Sequence, residues 1–387
     1  MAGPCIPLRA LESNQTGGTI FMERRKFLTA AAAGAAGAAM AASFPKPGLA
    51  QGKRDLKMVM TWPKNSPALG TGAERLAKRI QAFSEGKLTV KLYAGGELVP
   101  PLEVFDAVSS GAADCYHSAS YYFQGKSKAF NFFTTVPFGL TAPEMAAWLY
   151  YGGGQELWDE LAAGFNMKPF PVGNTGVQMG GWFAKEINTL DDFKGLKYRM
   201  PGLGGEVFRR LGVAVSNLPP QEILPALQSG AIDGTEWVGP YIDLAFGFHK
   251  VAKYYYHPGI HEPGSNLDFS VNLDVWKSLT PTQQDIIRAA TTAETQLVAA
   301  EFDARNSDAL ETLVNKHGVQ LRQFSDDIVK AIGEAAGQVI AETAAADDIT
   351  KRVYASYIEF RKKAMRWSRY GEQAFLNARL LPFKYGG

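Results

Sequence analysis

The chain has too little cysteine to cross-link itself: of its two cysteines, Cys5 falls in a leader segment and Cys115 stands alone in the remainder of the chain. That excludes an intramolecular disulfide in the mature part, so the fold must be held by its core. A 387-residue chain with 46% hydrophobic residues has ample material for one. Cys115 reads as a small buried core residue, because it lies in an apolar strand with no neighbouring base. Excess charge of one sign is also missing. Lys and Arg number 40 against 38 Asp and Glu, a formal charge of +2, which provides no basic field for nucleic acid. Catalytic signatures are absent as well: there is no Gly-x-Ser-x-Gly elbow, no His-Glu-x-x-His, no Cys-x-x-Cys and no Gly-x-x-x-x-Gly-Lys-Ser/Thr phosphate loop.

What is present begins with an address. Arg24-Arg25-Lys26-Phe27-Leu28, then an alanine-rich run from Thr29 to Ser43 and small residues ending at Gly48-Leu49-Ala50, read as a twin-arginine export signal cleaved near Ala50. The apolar run is too short and too alanine-rich to persist as an anchor, so the mature protein is expected in the periplasm. Residues 1–21 precede a normal signal start at Met22 and are set apart from the fold.

Beyond the leader (1–50) the pattern is strand, helix, strand: Leu56–Trp62 alternates, Gly72–Phe83 carries an apolar stripe and Leu88–Tyr93 alternates again. This is the repeat of an α/β domain. An internal echo suggests two lobes, since Glu103–Asp114 matches Glu222–Asp233 at a displacement of 119 positions, each a helix ending at glycine with a strand beginning after aspartate. The same displacement sets His117 and Tyr122 opposite Glu236 and Tyr241, across a crevice at the strand ends. The expected division is residues 51–172 for the first part of lobe I, 173–250 for lobe II and 251–387 for the return to lobe I and the C-terminal helices. Pro169–Gly181 reads as a crossover or hinge, and the return begins around Val251–Tyr256. Asp347–Leu381 is helical and unusually apolar for a tail, which suits either packing on its own lobe or a homodimer contact.

Four polar residues stand beside glycine or proline where a cleft would need them: Gln178, Arg199, Glu236 and Glu262. Arg199 can present its planar fork to a carboxylate, or serve in a surface salt bridge. Glu236 and Glu262 in one crevice would repel unless a cation or a shared proton intervened, and oxygen donors favour a hard ion such as Na⁺ or Ca²⁺. Two unrelated solvated carboxylates are the alternative. Gly202-Leu203-Gly204-Gly205 opens a helix and could face N–H groups to an anion, but so short a glycine string is a weak signal and a tight turn is the better explanation.

Four stretches carry a family resemblance: Ala94–Pro100, Gly173–Phe183, Gly195–Arg199 and Thr235–Tyr241. Through them nearly the whole mature chain resembles the DctP-type solute receptors of tripartite ATP-independent periplasmic (TRAP) transporters, and within these the subgroup that binds 2-oxo acids with a metal. The resemblance implies a two-lobe α/β solute-binding protein with a ligand cleft between the lobes, long C-terminal helices and no enzymatic step. It implies that Arg199 pairs with the substrate carboxylate and that Gln178 contacts both substrate and metal. Glu236, the Trp237 carbonyl and Glu262 then hold Na⁺ or Ca²⁺, while Trp237 and Tyr121 or Tyr122 wall off water. The implied solute is a small monocarboxylate, a 2-oxo acid such as pyruvate or a 2-hydroxy acid such as lactate, passed on to TRAP membrane subunits. His261 departs from the aromatics the subgroup has before that glutamate; it could hydrogen-bond a hydroxyl or second carboxylate, or pack at the rim. The rival readings are a receptor for another organic acid, and an exported hydrolase or lyase with Glu236 and Glu262 as an acid/base pair.

Overall fold

The computed structural model describes residues 53–384. The export signal, the cleavage point near Ala50 and Cys5 lie outside them. Eleven strands are described: β1 Arg54–Met60, β2 Leu88–Tyr93, β3 Cys115–Ser118, β4 Met167–Asn174, β5 Gly181–Phe183, β6 Lys197–Arg199, β7 Ala214–Ser216, β8 Gly234–Thr235, β9 Tyr254–His257, β10 Asn266–Asn272 and β11 Gln320–Gln323. They form two sheets, ordered β2-β1-β3-β10-β4 and β11-β9-β5-β8-β6-β7. In the first, β2, β1 and β3 run parallel and β10 is antiparallel to β3 and β4. Helices built on apolar stripes cover them: in Gly70–Phe83 the buried side is Ala73, Leu76, Ala77 and Ile80.

The internal echo is a structural repeat. In each sheet a helix ends before a glycine with positive φ, Gly111 (82°) or Gly230 (69°), a conformation that glycine adopts without strain. The aspartate that follows then clamps the neighbouring parallel strand, as Asp114 Oδ2 accepts from Lys57 N (2.7 Å) and Asp233 Oδ2 from Lys197 N (2.9 Å). Each lysine side chain also donates to a carbonyl of the turn, Lys57 Nζ to Ala112 O and Lys197 Nζ to Gly230 O, one position apart in the repeat. Thus β3 beside β1 and β8 beside β6 are the same device, used once per sheet.

Two expectations need correction. The chain does not return to the first sheet at Val251–Tyr256: β9 pairs with β5 and β11 in the second, and the return comes at β10. β11, late in the chain, also joins the second sheet. Strand membership is decided by distant partners, and the three tyrosines of β9 carry no mark of which sheet they enter. Pro169–Asn174, read as part of a crossover, belongs instead to β4. β4 is a sheet edge, where a proline that lacks an N–H is tolerated.

Helix Pro281–His317, capped by Thr280 and Gln283, packs on β4, on Gly70–Phe83 and on helix Pro240–Phe246, so it buttresses both sheets. Its buried Glu294 pairs with Arg75. The chain continues through helices Asp326–Ala344, Asp348–Ser368 and Glu372–Ala378, the last burying none of its residues. No helix among the described residues is long and apolar enough to cross a membrane.

Candidate functional site

The site is assembled where the chain passes between the sheets. Thr175–Gly180 leads from β4 to β5 and Pro258–Ser265 leads from β9 to β10, and the two crossings are hydrogen-bonded to each other. Thr175 N donates to Ser265 O (3.1 Å), Gln178 N to Glu262 O (3.1 Å), Gly259 N to Gln178 O (3.0 Å) and Gly180 N to Tyr256 O (2.7 Å). Close approach requires glycine here, since a Cβ on Gly259 would fall 2.1 Å from Gln178 O. The pairing puts Gln178 beside Glu262: Gln178 Nε2 donates to Glu262 Oε2 (2.8 Å), to Thr175 Oγ1 (3.1 Å) and to Ser265 Oγ (3.3 Å), and Ser265 Oγ donates to Glu262 as well.

The second half comes from the parallel strands β6 and β8. Arg199 ends β6, Glu236 follows β8, and the register Arg199 to Thr235 carries both to the same strand end. Neither side chain is exposed, and they are ion-paired through Arg199 Nη1 and Glu236 Oε1. Arg199 Nε donates to Leu218 O (3.1 Å), and its Nη2 reaches across to Tyr122 OH (3.2 Å). The Trp237 ring lies 5.4 Å from the guanidinium carbon, and Tyr121 stacks on Tyr122 at 4.7 Å. A narrow cavity between them is lined by Trp62, Tyr121, Tyr122, Thr175, Gln178, Trp237 and Ser265.

Thus Gln178, Arg199, Glu236, Trp237, Glu262 and Tyr122 are all buried and share one crevice, brought together from five separate parts of the chain. The facing of His117 with Glu236, and of Tyr122 with Tyr241, is not made. His117 Nδ1 accepts from Trp62 Nε1 (2.8 Å), while Tyr241 donates to Glu301 (3.1 Å) on the long helix and takes Asn306 Oδ1 on its N–H. Tyr122 and Tyr241 lie beyond the matched strands, in the turn Ser120–Phe123 and the helix Pro240–Phe246, so the repeat does not carry over to their partners. The salt-bridge alternative for Arg199 holds only in part: the pair exists, and it is buried rather than on the surface.

Burial sets the electrostatics. Desolvation pushes the Glu236 carboxyl up to about 7, although Arg199 pulls it down. Desolvation, then the Glu236 charge, push Glu262 up to about 7. Desolvation lowers His261, which Glu262 opposes. One guanidinium therefore faces two carboxylates, and several polar atoms have no hydrogen-bond partner: Glu236 Oε2, Gln178 Oε1, His261 Nε2 and Trp237 Nε1. Atoms of this kind, turned into a buried crevice, are the mark of a site shaped for a ligand. Glu236, His261 and Glu262 each bring a ligand atom within 4.8 Å of the others. The donor set suits a cation.

Asp243 is the residue that sequence reasoning missed. Its Oδ1 accepts from Val238 N (3.2 Å) and Gly239 N (3.1 Å), and its Oδ2 from Trp182 Nε1 (2.9 Å) and Tyr255 OH (2.8 Å), which holds the Glu236–Gly239 segment on the second sheet. The only local sign is an acid in the first turn of a helix opened by Pro240. His261 is buried, 3% exposed, and does not lie at a rim.

Comparison with known proteins gives a consistent picture. Residues 58–347 match the family described as bacterial extracellular solute-binding protein, family 7 (DctP). The monocarboxylate 2-oxoacid-binding periplasmic protein of Nostoc sp. is 45% identical over 323 residues, 83% of this chain and 88% of that protein. A TRAP transporter solute-binding protein from Bordetella bronchiseptica, a dimer with calcium and picolinate in its active site, superposes with a TM-score of 0.83 at 37% identity, over 85% of this chain and 97% of that one. A TRAP periplasmic solute-binding protein from Pseudoalteromonas atlantica with bound sodium and pyruvate gives 0.81 at 40% identity, over 84% and 99%. With a match that spans most of the two-sheet body and its cleft, this chain belongs to the DctP family of bacterial extracellular solute-binding proteins, the solute receptors of TRAP transporters.

Proposed function

We propose that the receptor binds a monocarboxylate, a 2-oxo acid such as pyruvate or a 2-hydroxy acid such as lactate, together with Na⁺ or Ca²⁺. One observation carries this: two buried carboxylates, Glu236 paired with Arg199 and Glu262 bonded only to the neutral Gln178 and Ser265, with Glu236 Oε2 and Gln178 Oε1 left unpartnered. A cation there would supply the missing positive charge and polarise the oxygens of the acid. Glu236, Glu262, Gln178 and the Trp237 carbonyl are the groups that would hold it.

Arg199 neutralises the acid's carboxylate in this reading, with Tyr122 fixing one guanidinium nitrogen. Its pairing with Glu236 keeps it in place before the acid arrives. Trp237, Tyr121 and Tyr122 exclude water, which strengthens each polar contact. No bond of the solute is broken; the receptor hands it to TRAP membrane subunits. Export follows the twin-arginine route with cleavage near Ala50, and a second copy covers the C-terminal helices, where Trp367, Tyr370, Phe375 and Leu380 are exposed.

Calorimetry with pyruvate tests the reading, run on chelator-treated protein and again with Ca²⁺ restored. Binding that requires the cation and leaves pyruvate unaltered supports it. Conversion of the acid, or affinity indifferent to Ca²⁺ and Na⁺, sinks it.

A further inference from the structure

We infer that His261 is itself a ligand of the cation, which makes the site a nitrogen-containing one able to take a borderline divalent ion such as Mn²⁺ or Co²⁺ with the acid. The inference rests on the cation-dependent reading above. It starts from two bare atoms: His261 Nε2 and Glu236 Oε2 are both buried, both lack a hydrogen-bond partner and lie 3.5 Å apart. That is too long and too poorly aligned for a hydrogen bond. It is the spacing of neighbouring donors around one ion, since donors bonded at about 2.0–2.4 Å are separated by roughly 3–3.5 Å along a coordination edge. Glu262 supplies the third atom within the same 4.8 Å cluster.

The backbone holds His261 there. Phe138 N donates to Ile260 O (2.9 Å) and Glu262 N to Gly259 O (3.1 Å), so the turn carrying the ring is tied at both ends. The room beneath it comes from Gly204, where an added Cβ would sit 3.2 Å from the His261 Cβ and 2.9 Å from Met200 Sδ. The short glycine string at the head of helix Gly202–Arg210 thereby gains a use unrelated to anions: at Gly204 it lets the helix approach the base of the His261 side chain. A purely hard-ion site would have no need of one, because imidazole nitrogen favours first-row transition ions over Na⁺ and Ca²⁺.

The test uses the mature chain, stripped with chelator and reloaded with Mn²⁺, Co²⁺ or Ca²⁺ in the presence of pyruvate. Pulsed electron paramagnetic resonance of the Mn²⁺ form is expected to show coupling to an imidazole nitrogen that disappears in His261→Phe. The same variant should lose at least tenfold in Co²⁺ affinity by calorimetry and lose less in Ca²⁺ affinity, because an imidazole nitrogen contributes less to binding a hard ion; His261→Gln, which keeps a polar group of similar reach, guards against a folding defect. No nitrogen coupling in the wild-type protein, or equal losses for Co²⁺ and Ca²⁺, overturns the assignment of His261 and leaves cation-dependent binding standing. If no ion promotes pyruvate binding to the wild-type protein, both readings fall.

Discussion

Arg199 and Glu236 form an ion pair that solvent does not reach on either side, at the shared end of two parallel strands. The guanidinium proposed for the acid is thus already engaged with a carboxylate proposed for the cation. Charge in this cleft is balanced only in part before any solute arrives.

Arg199→Ala should therefore do two things. Pyruvate binding is expected to vanish in calorimetry, and denaturant unfolding should show a loss of about 3–5 kcal/mol, because Glu236 is left buried without its partner. Arg199→Lys, which keeps the charge but loses the planar fork, should retain most of the stability and still lose at least tenfold in affinity. Unaltered affinity in either variant would remove Arg199 from the solute site.

The raised carboxyls give a pH dependence with a definite sign. Glu236 and Glu262 hold their protons up to about 7 in the folded chain, against 4.5 ordinarily. Between those values the folded state binds more protons than the unfolded one, so stability falls as pH rises through that window. The Tm of cation-free protein should drop from pH 5 to pH 8, and added Ca²⁺ should raise it more at pH 8, where it no longer competes with protons. A Ca²⁺ effect that is larger at pH 5 contradicts the assignment.

Asp243→Asn retains the shape but replaces an acceptor with a donor, facing four N–H and O–H groups that Asp243 now satisfies. At least one of them must lose its partner, a cost of about 1–3 kcal/mol in urea unfolding. Affinity for the acid should weaken too, since the Glu236–Gly239 segment is released. Full affinity with lowered stability would make Asp243 structural alone.

Gly259→Ala tests the paired crossings. Its methyl group would overlap Gln178 O, so the crossings must part. We expect destabilisation of more than about 2 kcal/mol by thermal or chemical melting, well beyond an ordinary surface substitution. A Tm within a degree of wild type would mean that the crossings yield more readily than their hydrogen bonds imply.

Deleting the chain from Arg369 onward removes helix Glu372–Ala378 and its exposed apolar side chains. If that surface joins two copies, sedimentation should show a dimer for the full mature chain and a monomer for the truncated one, with pyruvate affinity unchanged. A dimer in both would place the interface elsewhere.

Much of the local structure is legible in the residues. Leu88–Tyr93 is a strand at the position its patterning indicates, and the helix expected over Gly72–Phe83 spans Gly70–Phe83. The echo at a displacement of 119 is visible because the helix terminator and the clamping aspartate must recur together for the device to work. Patterning puts β9 in the wrong sheet because its pairing with β5 and β11 depends on residues far away in sequence. β4 is hidden by prolines that an edge strand tolerates.

The candidate residues are named from their glycine and proline surroundings and from a family resemblance, both properties of the chain alone. Their meeting is not. Gln178 and Glu262 touch across 84 positions, and Arg199 and Glu236 across 37, only because two crossings pair and two parallel strands end together. The sequence by itself determined which side chains are chemically equipped for a carboxylate and a cation. Tertiary structure decided that they lie in one buried crevice, where desolvation raises two carboxyls and His261 Nε2 is left without a partner, because burial is a property of everything packed around a group and no local run of residues specifies it.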